Sequence, residues 1–185
     1  GVEVEEIAAQ DIDEVSVSST KIRKALLSGD VLTANSYLGY EYMLTGIIKK
    51  GKGIGRKMGF PTANLKIQED YKLIPENGVY TVYSLFGDKK VHGMMNIGYN
   101  PTFEEKNQSI EVHYFDFDAD LYEKEIEVRF LQKIRDERKF ESIELLGKQL
   151  EQDKQTCLKL GLKNSFWILS QTQTEKKIRQ LNQKR

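Results

Sequence analysis

The fold is decided by residues 79–97, VYTVYSLFGDKKVHGMMNI. Its first eight residues are rich in β-branched and aromatic side chains, which favour an extended strand. Gly87-Asp88 then supplies a turn signal, and a second strand-like run continues from Val91 to Ile97. The stretch therefore predicts two antiparallel strands joined by a tight turn.

Three further segments have the same strand-like character. Residues 42–49 alternate in polarity, and residues 110–117 and 126–134 flank Asp118-Ala119-Asp120, which fits a hairpin connection. Short strands of this spacing, about six in all, are typical of a small antiparallel barrel. We therefore expect a mainly β protein.

Two short helices are predicted before the strands. Residues 18–20 (SST) offer N-cap chemistry for a helix that runs to Leu27 and is closed by Gly29. Asp30 is predicted to cap a second helix that runs to about Leu38.

A longer helix is predicted after the strands. Ser142 is its expected N-cap, and Gly161 is its expected end. Its apolar face is formed by Ile143, Leu146 and Leu150. Cys157 falls on the same face, where a packing role is expected rather than catalysis.

The composition indicates a soluble protein. Its 28 basic and 28 acidic residues cancel, which argues against a general nucleic-acid binder, because that function needs a basic face. The single Cys157 excludes an internal disulfide framework and fits a reducing cytoplasm. No apolar run approaches membrane-spanning length, and the acidic N-terminus is unlike a signal peptide. We expect a cytoplasmic protein with neither nucleic acid nor membrane as partner.

A glycine-rich loop, GKGIGRKMGFPTAN at residues 51–64, carries the first chemical signal. Gly51, Gly53 and Gly55 allow the backbone to approach a ligand, and successive N–H groups can form a nest for phosphate. Lys52, Arg56 and Lys57 add positive charge. The spacing matches neither the P-loop nor the dinucleotide motif, so taken alone a glycine-rich hairpin remains the simpler interpretation.

The same loop ends in Pro61-Thr-Ala-Asn64. Thr62 and Asn64 present hard oxygen atoms of the kind that Mg²⁺ accepts when it also binds phosphate. The competing interpretation is structural: a turn hydroxyl for Thr62 and a local Asx-type hydrogen bond for Asn64.

A series of motifs further along the chain resembles the riboflavin kinase family, specifically the kinase domain of bacterial riboflavin kinase/FMN adenylyltransferase (FAD synthetase). The resemblance runs from about Leu38 to Gly161. The motifs that follow the loop are Gly78-Val79-Tyr80, Asn96–Phe103, Ser109–His113, Asp120-Leu121-Tyr122, Ile134-Arg135 and Lys139-Phe140. It implies a six-stranded antiparallel Greek-key barrel with a C-terminal helix, preceded by two short helices.

The resemblance also implies a reaction. ATP and riboflavin give FMN and ADP, with Mg²⁺ as the metal. Three functions are then required: a phosphate cradle, a metal and a group that takes the hydroxyl proton. The family pattern assigns the metal to Thr62 and Asn64 and the proton to Glu111.

The remaining family positions concern the two substrates. They assign ATP binding to Gly51, Gly53, Gly55, Lys57 and Tyr122, and flavin binding to Arg135. Each position also has an ordinary structural explanation: a solvent-exposed strand residue for Glu111, a core aromatic for Tyr122 and a surface residue for Arg135. His113 is an alternative base on the same face as Glu111, but the interpretation as a positional partner or a surface histidine is favoured. Glu123 stands where the family has glycine.

The resemblance divides the chain into three parts. Residues 1–38 match the C-terminal end of the adenylyltransferase domain, residues 39–161 match the kinase barrel and its helix, and residues 162–185 form a tail of unknown role. The histidine motif of that first domain is missing, since the only histidines are His92 and His113. We expect this chain to make FMN, and a parent protein also to adenylate FMN to FAD.

Two other classes of function compete with the kinase. One is a barrel module that binds a flavin or nucleotide without turnover, and the presence of Thr62, Asn64 and Glu111 counts against it. The other is a translation-factor-like barrel that contacts RNA, which the neutral charge disfavours.

Overall fold

The structure is a computed structural model that describes residues 11–12, 15–51, 54–99 and 108–161. It begins with two paired strands, β1 (Asp11–Ile12) and β2 (Val15–Ser16), and two helices, α1 (Ser19–Leu27) and α2 (Val31–Leu38). Gly53, Lys52, Asn100–Phe103 and the tail 162–185 lie outside the described residues. Within the described part, no helix is long and apolar enough to cross a membrane.

A closed antiparallel barrel of six strands forms the centre of the molecule. Around the barrel, the strands are β3 (Met43–Lys49), β4 (Ala63–Ile67), β7 (Gln108–Tyr114), β6 (Lys89–Tyr99), β5 (Gly78–Phe86) and β8 (Glu125–Arg135). A short helix, α3 (Ile54–Lys57), lies between β3 and β4, and a helix at residues 143–161, α4, follows β8. The predicted mainly β barrel, with two helices before it and one after it, is confirmed.

One barrel strand has no counterpart among the predicted segments. β4 contains Asn64, which the sequence interpretation placed at the end of a loop. The strand pairs with β3 over four residues and with β7 over two, Ala63 and Asn64. Asn64 is therefore held by backbone pairing on both sides, and Thr62 lies immediately before the strand.

The helix caps follow the predicted chemistry. Ser18 accepts a hydrogen bond from the Lys21 amide at 3.3 Å, and Asp30 accepts one from the Thr33 amide at 3.1 Å. Gly39 ends α2 in the left-handed conformation, with φ of 75°, where a residue without a Cβ is least strained. These caps fix where both helices begin and where α2 ends.

The barrel interior and the two N-terminal helices share one hydrophobic cluster. Leu26, Val31 and Ala34 from the helices are buried together with the inward side chains of the strands. The Leu26 carbonyl also accepts a hydrogen bond from the Glu76 amide at 3.1 Å. The helices therefore pack as part of the barrel's core rather than as a separate unit.

Helix α4 packs on the outer face of the barrel. Ser142 caps it by accepting from the Leu145 amide at 3.2 Å, as predicted, and Leu150 packs against the second cluster. That cluster is formed by the buried residues Val79, Met94, Phe115 and Cys157. Ile143 was predicted on the apolar face but is 66% exposed, because the contact with the barrel begins further along the helix.

Cys157 is fully buried in this second cluster. Thr81 donates a hydrogen bond to its sulfur at 3.2 Å, and burial raises the pKa of the thiol to about 11. A thiol in this state stays protonated and is a poor nucleophile. The packing role expected for Cys157 is consistent with this environment.

The turn at Glu123 explains the glycine of the family pattern. Glu123 has φ of 57°, a left-handed conformation in which a Cβ is strained. Its amide donates to the Ile48 carbonyl at 2.9 Å, which ties the turn to the end of β3. Its carboxylate pairs with Lys49 at 2.7 Å. Glutamate is thus accommodated at a position where glycine would be relaxed.

We predict that Glu123→Gly raises the Tm slightly, because glycine adopts positive φ without strain and the lost ion pair is exposed and weak. Glu123→Ala is the matched control, since it loses the ion pair but keeps the strained Cβ, and it lowers the Tm. Thermal unfolding followed by circular dichroism measures both. A lower Tm for the glycine variant than for the alanine variant would contradict the strain argument.

Candidate active site

A single row of paired residues crosses the outer face of the barrel. Each residue of the row lies directly opposite the next one on the neighbouring strand, from Lys49 on β3 to Arg135 on β8. In order, the row is Lys49, Asn64, Glu111, Asn96, Val79 and Arg135. Directly opposed residues in an antiparallel ladder project to the same face, so these side chains stand side by side.

The first cavity lies over this row, between the barrel, α4 and the glycine loop. Its volume is about 790 Å³, which is within the usual range for a small-molecule site. The polar row residues Asn64, Asn96, Glu111 and Arg135 line it. Its apolar lining is Met58, Phe60, Val79, Met94, Phe140, Leu146 and Leu150. The cavity therefore offers an apolar slot with polar groups along one wall.

The second cavity lies on the other side of the glycine loop, at the barrel rim. Its volume is about 750 Å³. Lys49, Lys50 and Arg56 line it, and so does the segment from Phe117 to Tyr122, which carries Asp118 and Asp120. Lys50, Gly51 and Thr62 line both cavities, so the two spaces adjoin along the loop.

Thr62 and Glu111 are hydrogen-bonded where the two cavities adjoin. The Thr62 hydroxyl donates to Glu111 Oε2 at 3.0 Å. Because the hydroxyl proton is directed at the carboxylate, the lone pairs of the threonine oxygen remain available to another group. Asn64 stands beside Glu111 in the row, which brings the three predicted side chains together.

The glycine loop is packed against Asn64 at this point. A Cβ at Gly51 would lie 2.0 Å from the Asn64 side-chain nitrogen, so a larger residue there would displace the Asn64 amide. A Cβ at Gly55 would lie 2.2 Å from the Phe60 carbonyl oxygen, within the loop's own turn. Both glycines thus allow the loop to fold against the barrel. Gly53 and the side chain of Lys57 lie outside the described part of the chain.

Arg135 lines the first cavity, but its guanidinium is held by Asp153 of α4. Three hydrogen bonds of 2.7–3.1 Å join the two side chains, and Asp153 is only 3% exposed. Gln149 donates a further bond to Asp153 at 2.7 Å, and it also accepts one from Arg138. The network fixes α4 and the segment after β8 as one wall of the cavity.

Tyr122 is half exposed and lines the second cavity, which rules out the core-aromatic interpretation.

His113 lines the first cavity but is 7% exposed, and its Nδ1 lies 2.8 Å from the Pro61 carbonyl oxygen. Burial lowers the pKa of His113, and the bond to Pro61 partly offsets that effect. The imidazole is therefore neutral, and its Nδ1 is hydrogen-bonded to the Pro61 carbonyl.

Several residues in these cavities were missing from the sequence prediction. Asp153 had a usable signal: it follows Leu146 and Leu150 on the apolar face of α4, at the spacing of Cys157. A carboxylate on such a face needs a buried partner, which points to an ion pair. Asn96 and Lys50 had no comparable signal, because their position depends on strand register and loop path.

The comparisons with known proteins agree with this architecture. The riboflavin kinase ("Flavokinase") family model matches residues 38–160. The bifunctional riboflavin kinase/FMN adenylyltransferase of Bacillus subtilis is 42% identical over 159 residues, which are 84% of this chain and 49% of the relative. The protein of the same description from Listeria monocytogenes is 44% identical over 140 residues, or 75% of this chain and 44% of the relative.

A solved structure gives the same picture. The crystal structure of a protein described as a macrolide-efflux protein from Streptococcus pneumoniae aligns with a TM-score of 0.75 and 34% identity. It covers 82% of this chain and 49% of that one. The chain thus spans about half the length of the curated relatives and of the solved protein that it matches.

We predict that Asp153→Asn destabilises the fold by about 3 kcal/mol, because it leaves the partly buried Arg135 without its counter-charge. Glu151→Gln, an exposed carboxylate on the same helix, is the matched control and changes stability little. Urea unfolding of both variants gives the comparison. Equal stability of the two variants would mean that the ion pair does not hold α4 in place.

Proposed function

The chain belongs to the riboflavin kinase family, and we propose that it transfers the γ-phosphoryl group of ATP to the ribityl 5′-hydroxyl of riboflavin, giving FMN and ADP. One observation carries the proposal. The Thr62 hydroxyl and the Glu111 carboxylate are hydrogen-bonded at 3.0 Å where two cavities adjoin. A two-substrate transfer needs such a meeting point, with a proton acceptor on one side and a phosphate site on the other.

The first cavity suits the flavin. An isoalloxazine ring is flat and largely apolar on its faces, and the lining offers Phe60, Met94 and Leu150 as packing partners. Its polar edge needs hydrogen-bonding groups, which Asn96 and Arg135 supply along one wall. We propose that Arg135 contacts the flavin directly, because its guanidinium lines the cavity while it is paired with Asp153.

The second cavity suits the nucleotide. Lys50 and Arg56 bring positive charge to a lining that also includes Thr62, where phosphates would lie, while the charge of Lys49 is offset by Glu123. Tyr122 lines the same cavity, is half exposed and offers an aromatic face. The ATP roles of Gly51, Gly53, Gly55, Lys57 and Tyr122 are part of this proposal.

The donor set beside Glu111 fits Mg²⁺. Thr62 and Asn64 supply neutral oxygen atoms, and the Thr62 proton is already directed away to the carboxylate. No group of three or more His, Cys, Asp or Glu side chains in the described residues could hold a metal alone. A cation here therefore needs phosphate oxygens as well, which is the usual way in which Mg²⁺ is bound with a nucleotide. When bound, it neutralises charge on the transferring phosphoryl group.

Glu111 is the proposed base. Its carboxylate accepts the proton of the ribityl hydroxyl as that oxygen forms a bond to the γ-phosphorus, and ADP departs with the electrons of the broken P–O bond. Thr62 occupies one carboxylate oxygen and orients the group. His113 is the weaker candidate, because its Nδ1 is engaged with the Pro61 carbonyl and the ring is buried.

A second activity is proposed only for a longer protein. The curated relatives carry FMN adenylyltransferase in their names, and this chain spans about half of their length. We propose that a parent protein adenylates FMN to FAD, and that residues 1–38 are the end of that domain. Because α1 and α2 share the barrel's core, we expect them to remain folded on the kinase part, residues 39–161.

Incubation of the protein with riboflavin and Mg-ATP, followed by chromatography of the flavins, tests the function directly. Formation of FMN with an equal amount of ADP supports the kinase. Binding of riboflavin or nucleotide without FMN formation would instead support the non-catalytic barrel module.

We predict that Glu111→Gln lowers kcat by about 10²–10⁴-fold, because the amide keeps the shape of the side chain but cannot take the proton. Affinities for riboflavin and ATP change little, since positioning is retained. Glu125→Gln, an exposed strand glutamate, is the control. A normal kcat in Glu111→Gln with an inactive His113→Gln would make the histidine the base.

We predict that Thr62→Ala and Asn64→Ala each raise the Mg²⁺ concentration needed for half-maximal activity by about tenfold or more. Neither side chain is buried, so the circular dichroism spectrum stays unchanged. Thr156→Ala, on the exposed side of α4, serves as control. Wild-type activity of the double variant at limiting Mg²⁺ would remove both residues from the metal site.

A further inference from the structure

The backbone pairing between β4 and β7 stops one residue short of Thr62. The ladder includes Ala63 and Asn64, opposite Val112 and Glu111. Pro61 has no N–H to donate, so the ladder cannot extend through it in the usual way. Beyond the ladder the segment that carries Thr62 is joined to β7 through side chains, first through the Thr62–Glu111 hydrogen bond.

His113 supplies a second side-chain attachment. It occupies the β7 position next to Val112, and its Nδ1 lies 2.8 Å from the Pro61 carbonyl oxygen. A carbonyl oxygen only accepts hydrogen bonds, so Nδ1 is the donor and carries the proton. The side-chain bond continues the β4–β7 connection beyond the point where the backbone ladder ends.

The ring that makes this bond is itself fixed. His113 is 7% exposed, with the rings of Phe60 and Phe115 at centroid distances of 5.2 and 5.7 Å in edge-to-face arrangements. Burial lowers the pKa of His113, so the ring is neutral and has one N–H group to donate. That single donor is committed to Pro61.

We propose that His113 is a positioning residue that holds the Pro61–Thr62 segment on β7, so that the Thr62 hydroxyl meets Glu111 and faces the metal and phosphates. The inference rests on the proposed function of this site. His113 then acts by positioning Thr62 and takes no part in proton transfer.

The tautomer of His113 tests the geometry without any activity measurement. The chain has two histidines, so a nitrogen-15 correlation spectrum of histidine-labelled protein near neutral pH is simple, and a His92→Gln variant assigns the signals. We expect His113 to be neutral with the proton on Nδ1. A neutral ring protonated on Nε2 would overturn the proposal.

A pair of substitutions tests the consequence for the metal site. An asparagine side-chain nitrogen occupies the place of Nδ1, whereas a glutamine nitrogen corresponds to Nε2. Both lose the aromatic packing of the ring. Only His113→Asn can therefore preserve the bond to Pro61.

We expect His113→Gln to weaken Mg-ADP binding, measured by calorimetry, by about two- to tenfold more than His113→Asn does, the effect of one hydrogen bond. Equal affinities of the two variants for Mg-ADP, or a loss confined to riboflavin binding, would overturn the positioning role. If the wild-type protein bound Mg-ADP but formed no FMN, the proposed function would fail. The tautomer of His113 and the difference in Mg-ADP affinity between the two variants would still decide its positioning role.

Discussion

The register of the barrel strands is the constraint on which the site depends. Glu111 reaches the outer face because its neighbours Ile110 and Val112 are buried inside the barrel. A shift of β7 by one residue would bury the carboxylate and expose those two apolar side chains. The same register aligns Asn64 and Asn96 on either side of Glu111. Burial of the core therefore fixes the polar row, and the row fixes where the candidate site lies.

Two side-chain interactions join further segments of the chain to the barrel strands. Arg135 and Asp153 hold α4 over the first cavity, and His113 holds the Pro61–Thr62 segment against β7. Each attachment joins a part of the chain that lies outside the barrel ladder to a strand within it. The Arg135 attachment lies at one end of the row, and the His113 attachment lies towards the other end, where the two cavities adjoin at Thr62.

Local chemistry made much of the fold predictable from the sequence. The caps at Ser18, Asp30 and Ser142 depend on neighbours three residues away, and each was predicted. The strand β4 was missed because five residues after a glycine-rich loop give too short a pattern, and its pairing partners are distant in sequence. Ile143 was placed on the wrong face because the helix meets the barrel only from its second turn onward.

The site was less predictable than the fold. The motif around Thr62, Asn64 and Glu111 suggested a common site, but only strand pairing explains why they are adjacent. Asp153 on the apolar face of α4 indicates a buried ion pair, but its partner Arg135 lies 18 residues earlier, on another element, and no local pattern identifies it. Long-range contacts of this kind depend on how the helix docks, which composition and periodicity do not specify.

The most direct measurement is a crystal structure of the protein with Mg-ADP and riboflavin. The account predicts riboflavin in the first cavity, with its ribityl 5′-oxygen within about 3.2 Å of the Glu111 carboxylate, and ADP in the second cavity with its phosphates toward Thr62. A 5′-oxygen remote from Glu111, or a flavin bound in the second cavity, would contradict it.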